Sequence, residues 1–325
     1  MIIGRSPLRI TLGGGGTDLP SYYEKHGGFL IAAAIDQYVY TTIHNTTTAD
    51  EIVLRYSQIE KVSNVLDIKH PIIREALLLT GITDTNIEIT SLADLQSGTG
   101  LGSSGSFTTA LLKTLHKFKR KFISQEQLAE MACHIEINLL REPIGKQDQY
   151  IAACGGLTAF EFLKNGEVNP ITLNVSNDTI NQLEENLVMV STGFYRAAAK
   201  VLKEQDDKSK ALDPDMINNL HYVKDMGYRS AEALESGNLH SLGKIFHEHW
   251  QHKKKRSAAM SNSNIDTWYE LAMNNGAVGG KLIGAGGGGF LLFYTEEKIR
   301  LLAALKKAGL HDIKIKFDYE GTKIL

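Results

Sequence analysis

Ser97-Gly98-Thr99-Gly100-Leu101-Gly102-Ser103-Ser104 is the stretch on which the reading of this chain turns. It follows an apolar segment, Asn86–Ser91, that reads as a strand, and it opens a helix near Ser104 in which Phe107, Leu111, Leu112, Leu115 and Phe118 recur at helical spacing. Glycines so placed let a backbone approach an anion closely, and the N–H groups that begin a helix aim their positive dipole at phosphate oxygens. A serine at the helix start adds a hydroxyl that can coordinate Mg²⁺, a hard cation that takes oxygen ligands.

Other phosphate motifs fit less well. Gly100-Leu101-Gly102-Ser103-Ser104-Gly105 spells the dinucleotide pattern GxGxxG, but that fold needs a strand ending in an acid about 20 residues on. Here Lys119-Arg120-Lys121 leads into another helix, Gln125–Leu140, with Leu128, Met131, Ala132, Ile135 and Leu139 on one face. No GxxxxGK[ST] occurs, nor the protein-kinase set of catalytic loop and DFG. A plain glycine-rich turn joining strand to helix remains the alternative. A second run, Gly284-Ala285-Gly286-Gly287-Gly288-Gly289, precedes a strand and so cannot cap a helix. It reads either as a tight bulge or as a close approach to a ligand or another loop.

Outward from the loop, the first half is strand-led: Ile2–Leu12, Phe29–Ala34, Tyr38–His44, Ile52–Tyr56, then Leu157–Phe162 and Val168–Leu173. From Ser176 helices dominate, at Arg196–Glu204, Pro214–Glu235, Leu239–Lys255 and Ile265–Asn274, with strands at Leu187–Ser191, Phe290–Thr295 and Ile313–Phe317. This mixture predicts an α+β fold rather than a doubly wound parallel sheet, in two domains, 1–174 and 175–325.

Bulk composition narrows the partners. The 325 residues carry a formal charge of -2, against a nucleic-acid footprint, so an anionic ligand must be met by local cations or backbone dipoles. No apolar run approaches the roughly 18 residues of a membrane span, and Met1–Arg9 lacks the apolar core of a signal peptide. Cys133 and Cys154 have no metal-ligand spacing and read as reduced thiols, so a cytoplasmic location is expected.

Three acids are candidates for the chemistry. Glu136 lies in the helix Gln125–Leu140, where it also reads as a solvated acid. Asp148 follows in Gly145-Lys146-Gln147-Asp148-Gln149, after Pro143 and Gly145 break the helix, and it also reads as a helix N-cap. Phosphoryl transfer needs positioning, charge neutralisation and a group to take the hydroxyl proton. Asp148 suits the last role, with Arg9 and Lys146 as the cations beside it. Asp18 ends the turn Gly13–Asp18 and could accept hydrogen bonds from vicinal sugar hydroxyls, or simply close the loop.

Taken together, Ser6–Asp18, Ser97–Ser104 and Gly279–Phe290 resemble, in order, the three motifs of the GHMP kinases. The resemblance implies an N-terminal domain like that of ribosomal protein S5, a ferredoxin-like C-terminal domain, and ATP and substrate meeting between them. It implies that Ser97–Ser104 holds ATP, Ser104 and Glu136 hold Mg²⁺, Asp148 is the base, and Arg9 orients it. Asp18, with Gly15, Gly16 and Thr17, would hold the sugar. Gly15-Gly16 replaces the Glu-His of galactokinase-type members, so galactose is not indicated.

Within the superfamily, Gly145–Tyr150 and Gly279–Phe290 look most like kinases of the anomeric hydroxyl of a heptose 7-phosphate, with fucokinase-like enzymes sharing much of the pattern. A sugar phosphate needs a second anion site, for which Arg141, Lys146, Arg196 and the run Lys253–Arg256 are candidates. That run also reads as a solvated helix end, and His247, His249 and His252 as surface residues.

Overall fold

The computed structural model describes residues 1–47, 50–194 and 198–325, with the side chains of 198–201 and 258 outside the description. A first sheet takes β1 (Ile2–Gly13), β2 (Gly28–Asn45), β3 (Ile52–Arg55), β4 (Ile59–Val62), β5 (Ile87–Ala93), β6 (Leu157–Phe162) and β7 (Val168–Thr172). A second takes β8 (Leu187–Ser191), β9 (Ala277–Leu282), β10 (Phe290–Thr295) and β11 (Asp312–Ile313). The last strand, β12 (Lys323–Ile324), returns to the first sheet beside β1.

The two strands expected at Phe29–Ala34 and Tyr38–His44 are one, β2, which pairs with β1 from Ile31 to Ile43 and divides its other edge between β6 and β5. Asp36 and Gln37 bulge out where Pro7 gives way to Leu8 in β1. Among the described residues only β3 with β5 is parallel; the other strand pairings are antiparallel.

Side chains of β2 alternate between two cores, as the two-residue period of a strand requires. Leu30, Ala32 and Ala34 face one core with Leu111, Leu112 and Leu115 of the helix Ser103–Phe118. Phe29, Ile31, Ala33 and Ile35 face the other, which also receives Met226 and Leu234 of the helix Pro214–Glu235, Phe246 of the helix Leu239–Lys254, and Met189, Leu292 and Tyr294 of the second sheet. Burying each such Leu or Phe is worth roughly 1.5–3 kcal/mol, so this shared core holds the two sheets as one body. Leu291 and Phe293 of β10 point the other way, to Trp250, Tyr269 and Leu301.

β9 escapes the sequence pattern because Gly279 and Gly280 sit inside it. They serve packing: a Cβ on Gly279 would lie 1.9 Å from the Gly243 carbonyl, so the helix Leu239–Lys254 can rest directly on the strand. The helices Pro20–His26, Pro71–Thr80, Asn177–Asn186 and Lys298–Lys307 are further additions to the expected set. Among the described residues no helix is long and apolar enough to cross a membrane.

Candidate active site

The helix Ser103–Phe118 begins at Gly102, which has φ 79° and provides no side-chain cap, so the first amides are left for a ligand. Gly98 and Gly100 also hold φ near 80°, a conformation that only glycine enters cheaply. Ser97, Gly98, Gly100, Gly102, Ser103 and Ser104 line a cleft of about 870 Å³. Thr99 and Leu101 of the same loop turn away from it, with Leu101 fully buried in the shared core. The second glycine run closes on the first: a Cβ on Gly284 would stand 2.4 Å from Gly100 Cα, and one on Gly289 2.1 Å from the Thr99 carbonyl. Of the two readings of that run, close approach to another loop is what the structure contains.

Asp148 lies in the first turn of the helix Gln147–Cys154, two positions past the N-cap, Lys146. Its Oδ1 accepts from Arg9 Nε at 2.7 Å and from Gln147 Nε2 at 3.0 Å, while Arg9 Nη1 donates to the Gly100 carbonyl at 2.6 Å. Gln147 is fixed in turn by Thr11, whose hydroxyl donates to Oε1 at 2.9 Å. Arg9 thus ties the carboxylate to the phosphate loop, and Asp148 Oδ2 has no partner among the described residues.

Glu136 sits where the helix Gln125–Cys133 widens into a π-helical turn, His134–Leu139. Such turns recur at functional sites because they rotate one side chain out of helical register. The expected solvated acid is 1% exposed; its Oε1 accepts from Gln149 Nε2 at 3.0 Å and its Oε2 from the Ser104 hydroxyl. Burial pushes this carboxyl up to about 7, with Asp148 adding to the rise. A buried carboxylate and a hydroxyl in contact offer the oxygen ligands that Mg²⁺ takes, so Ser104 and Glu136 would hold it.

Asp18 is buried, and Gln147 N–H donates to its Oδ2 at 3.2 Å. Burial, then the Asp148 charge, raise its pKa. Gly145 makes room for it, since a Cβ there would lie 1.9 Å from Asp18 Oδ2. Gly15 and Gly16 line the cleft with it. Thr17 does not: it is wholly buried and its hydroxyl closes the loop onto the Gly14 and Phe29 carbonyls.

The cations are placed differently from the sequence expectation. Lys146 Nζ points away from Asp148, to Glu130 at 2.8 Å and the Gly166 carbonyl at 2.7 Å. Arg141 is exposed and outside the cleft lining, and Arg196 lies outside the described residues. Lys253 and Arg256, read as a solvated helix end, are 8% and 4% exposed and line the cleft, as do His249 and Lys281. The signal for this wall was helical spacing: positions 249, 253 and 256 share one face. Lys281 of β9 had no signal of its own beyond standing in the third motif.

This fold, with an uncapped glycine loop facing a carboxylate held by arginine, defines a phosphotransferase cleft. The chain belongs to the GHMP kinases: the family description "GHMP kinases N terminal domain" matches residues 68–156 and "GHMP kinases C terminal" matches 230–311. It is an ATP-dependent kinase of sugar hydroxyls. It is 30% identical to the D-glycero-alpha-D-manno-heptose 7-phosphate kinase of Campylobacter jejuni, over 98% of this chain and 97% of that one. A bifunctional fucokinase/GDP-fucose pyrophosphorylase of Arabidopsis thaliana is 27% identical over 95% of this chain, which spans 31% of that longer protein. Among solved structures, a D-glycero-D-manno-heptose 1-phosphate kinase from Bacteriodes thetaiotaomicron superposes with a TM-score of 0.82 at 24% identity, covering 100% of this chain and 99% of that one.

Proposed function

We propose that this kinase phosphorylates the anomeric C1 hydroxyl of D-glycero-D-manno-heptose 7-phosphate, giving the 1,7-bisphosphate from which a nucleotide-activated heptose is made. The observation that carries the chemistry is Asp148: one carboxylate oxygen locked by Arg9 and Gln147, the other unpartnered, in a cleft lined by both the phosphate loop and the Asp18 turn. The choice of sugar rests on the full-length similarity to the Campylobacter jejuni enzyme.

In this reading Asp148 Oδ2 takes the C1 hydroxyl proton as that oxygen bonds to the γ-phosphorus. The bond from phosphorus to the β,γ-bridging oxygen breaks, and ADP leaves with its electron pair. The amides that open the helix Ser103–Phe118 receive phosphate charge, and Arg9 keeps the base aligned with the loop. Asp18 and the Gly15-Gly16 turn hold the sugar hydroxyls. Mg²⁺ on Ser104 and Glu136 would supply neutralisation of the triphosphate charge.

The test is ADP release with Mg²⁺ and ATP over a panel of heptose 7-phosphate, free heptose, fucose, galactose and mevalonate, with the new phosphate located by ³¹P NMR. Anomeric phosphate on heptose 7-phosphate supports the reading. Preferred turnover of free fucose or heptose leaves the kinase chemistry in place and replaces the substrate.

A further inference from the structure

The wall of the cleft opposite the acids carries positive charge that the transfer step above does not use. His249 and Lys253 lie one turn apart on the helix Leu239–Lys254, and Arg256 follows on the same face just beyond its end. All three are more than nine-tenths buried and line the cleft.

Their partners are neutral. Lys253 Nζ donates to the carbonyls of Leu282, at 3.0 Å, and Gly284. Arg256 donates to Asn219 Oδ1 at 2.9 Å, to the Gly15 carbonyl at 3.2 and 3.3 Å, and to Gln205 Oε1 at 3.3 Å. Each keeps one N–H unused, since a lysine has three donors and an arginine five.

His249 adds a third. Lys281 Nζ, which donates to the Leu12 carbonyl at 2.8 Å, stands 3.4 Å from His249 Nδ1, and the tautomer in which Nδ1 accepts from Lys281 puts the imidazole proton on Nε2. Burial, then Lys281, hold this histidine neutral. His249 Nε2 is buried with no partner among the described residues. Buried charge and a buried orphan donor are both unfavourable without a counterpart, so together they describe a place for an oxyanion.

The location separates that oxyanion from the triphosphate. Arg256 grips the Gly15 carbonyl, and a Cβ on Gly16 would lie 2.5 Å from its Nη1. A Cβ on Gly15 would come 3.9 Å from His249 Cε1. Both residues therefore stand against the turn that leads into Asp18, while the triphosphate loop is joined to Arg9 and Asp148. Lys253, bonded to Gly284 beside Gly100, stands between the two ends.

We propose that His249 and Arg256, flanked by Lys253, form a second anion subsite that takes the phosphate ester already present on the sugar. This rests on the reading of the substrate as a sugar phosphate, and the test separates the two. Calorimetry is done on the D148N protein, with heptose 7-phosphate, free heptose and ATP as separate ligands so that no transfer takes place. The parent binds the ester more tightly than free heptose. Adding His249→Leu, which removes the unpartnered Nε2 together with the Nδ1 contact to Lys281, weakens the ester about 10- to 100-fold, the range for a charged hydrogen bond, and leaves free heptose and ATP unchanged; Arg256→Gln, which also frees the Gly15 carbonyl, weakens the ester more than it weakens free heptose. Ester binding that survives both changes overturns the subsite, as does a loss confined to ATP, which assigns these cations to the triphosphate. A parent that binds ester and free heptose alike overturns the substrate reading itself, before any variant is compared.

Discussion

The cleft has an acidic wall on the side of the first sheet, with Glu136, Asp148 and Asp18, and a basic wall on the helix Leu239–Lys254 and β9, with His249, Lys253, Arg256 and Lys281. Burial acts on both in the same sense and with opposite sign. It raises Glu136 to about 7 and lowers Lys253 to about 7, because each charged form loses hydration. The walls do not neutralise each other: Glu136 contacts Ser104 and Gln149, and Lys253 contacts carbonyls. In the function proposed above, ligands of opposite charge would complete such a site, a divalent cation on one wall and phosphate on the other.

Asp148 is where the comparison bears most weight. D148N is expected to lower kcat by about 10²- to 10⁴-fold, the range for a lost general base, with ATP affinity retained. The side chain is about one-third exposed, so folding should survive. Steady-state rates beside a direct ATP titration check this, and near-normal turnover removes Asp148 from the base role.

Stability against pH reads the walls separately. Glu136 ionises near 4.5 in the unfolded chain and near 7 when folded, so between these values the unfolded state holds fewer protons and stability falls as pH rises. Lys253 ionises near 7 folded and 10.5 unfolded; there the unfolded state holds more protons, and stability climbs with pH. Each limb is worth roughly 3–5 kcal/mol by the pKa differences. Without ligands, E136Q should flatten the fall from 4.5 to 7, and K253M the rise from 7 to 10.5. Urea midpoints across pH measure both, and an unchanged limb in either variant breaks the symmetry between the walls.

The two walls meet through glycine. Gly284 has φ 80° and abuts Gly100, so Gly284→Ala adds strain as well as a collision with backbone. A loss of about 1–3 kcal/mol in stability is expected, together with a raised KM for ATP as the phosphate loop is displaced. Wild-type values for both would mean that the second glycine run does not position the first.

The walls also differ in how legible they were. Asp148, Asp18 and Ser104 stand beside glycine or proline breaks, where a residue's role is tied to a local turn, and the sequence marks such turns. The helix Pro214–Glu235 and the strands Leu157–Phe162, Leu187–Ser191 and Phe290–Thr295 were likewise readable from their period and ends. Lys253 and Arg256 read both as a candidate anion site and as a solvated helix end, and His249 as a surface residue, because a polar helix face looks alike whether it meets water or a cleft. The close contact of Gly243 with Gly279 lays that helix on β9, and it joins residues 36 apart. β9 was lost for the same reason, its glycines reading as loop, and the π-helical turn at Glu136 has no sequence mark.

Lys146 gives the smallest and sharpest test. It stands two residues before Asp148 in sequence, yet its ammonium holds Glu130 and the Gly166 carbonyl on the other side of the helix start, next to Tyr150, whose hydroxyl also bonds Glu130. Lys146→Met keeps the stem and removes these bonds. It should cost about 1 kcal/mol of stability and leave kcat within about twofold, since only its backbone N–H, which donates to the Asp18 carbonyl, touches the site, and that remains. If kcat instead falls as far as in D148N while the urea midpoint holds, the ammonium swings into the cleft during turnover, and the acidic wall carries a second cation beside Arg9.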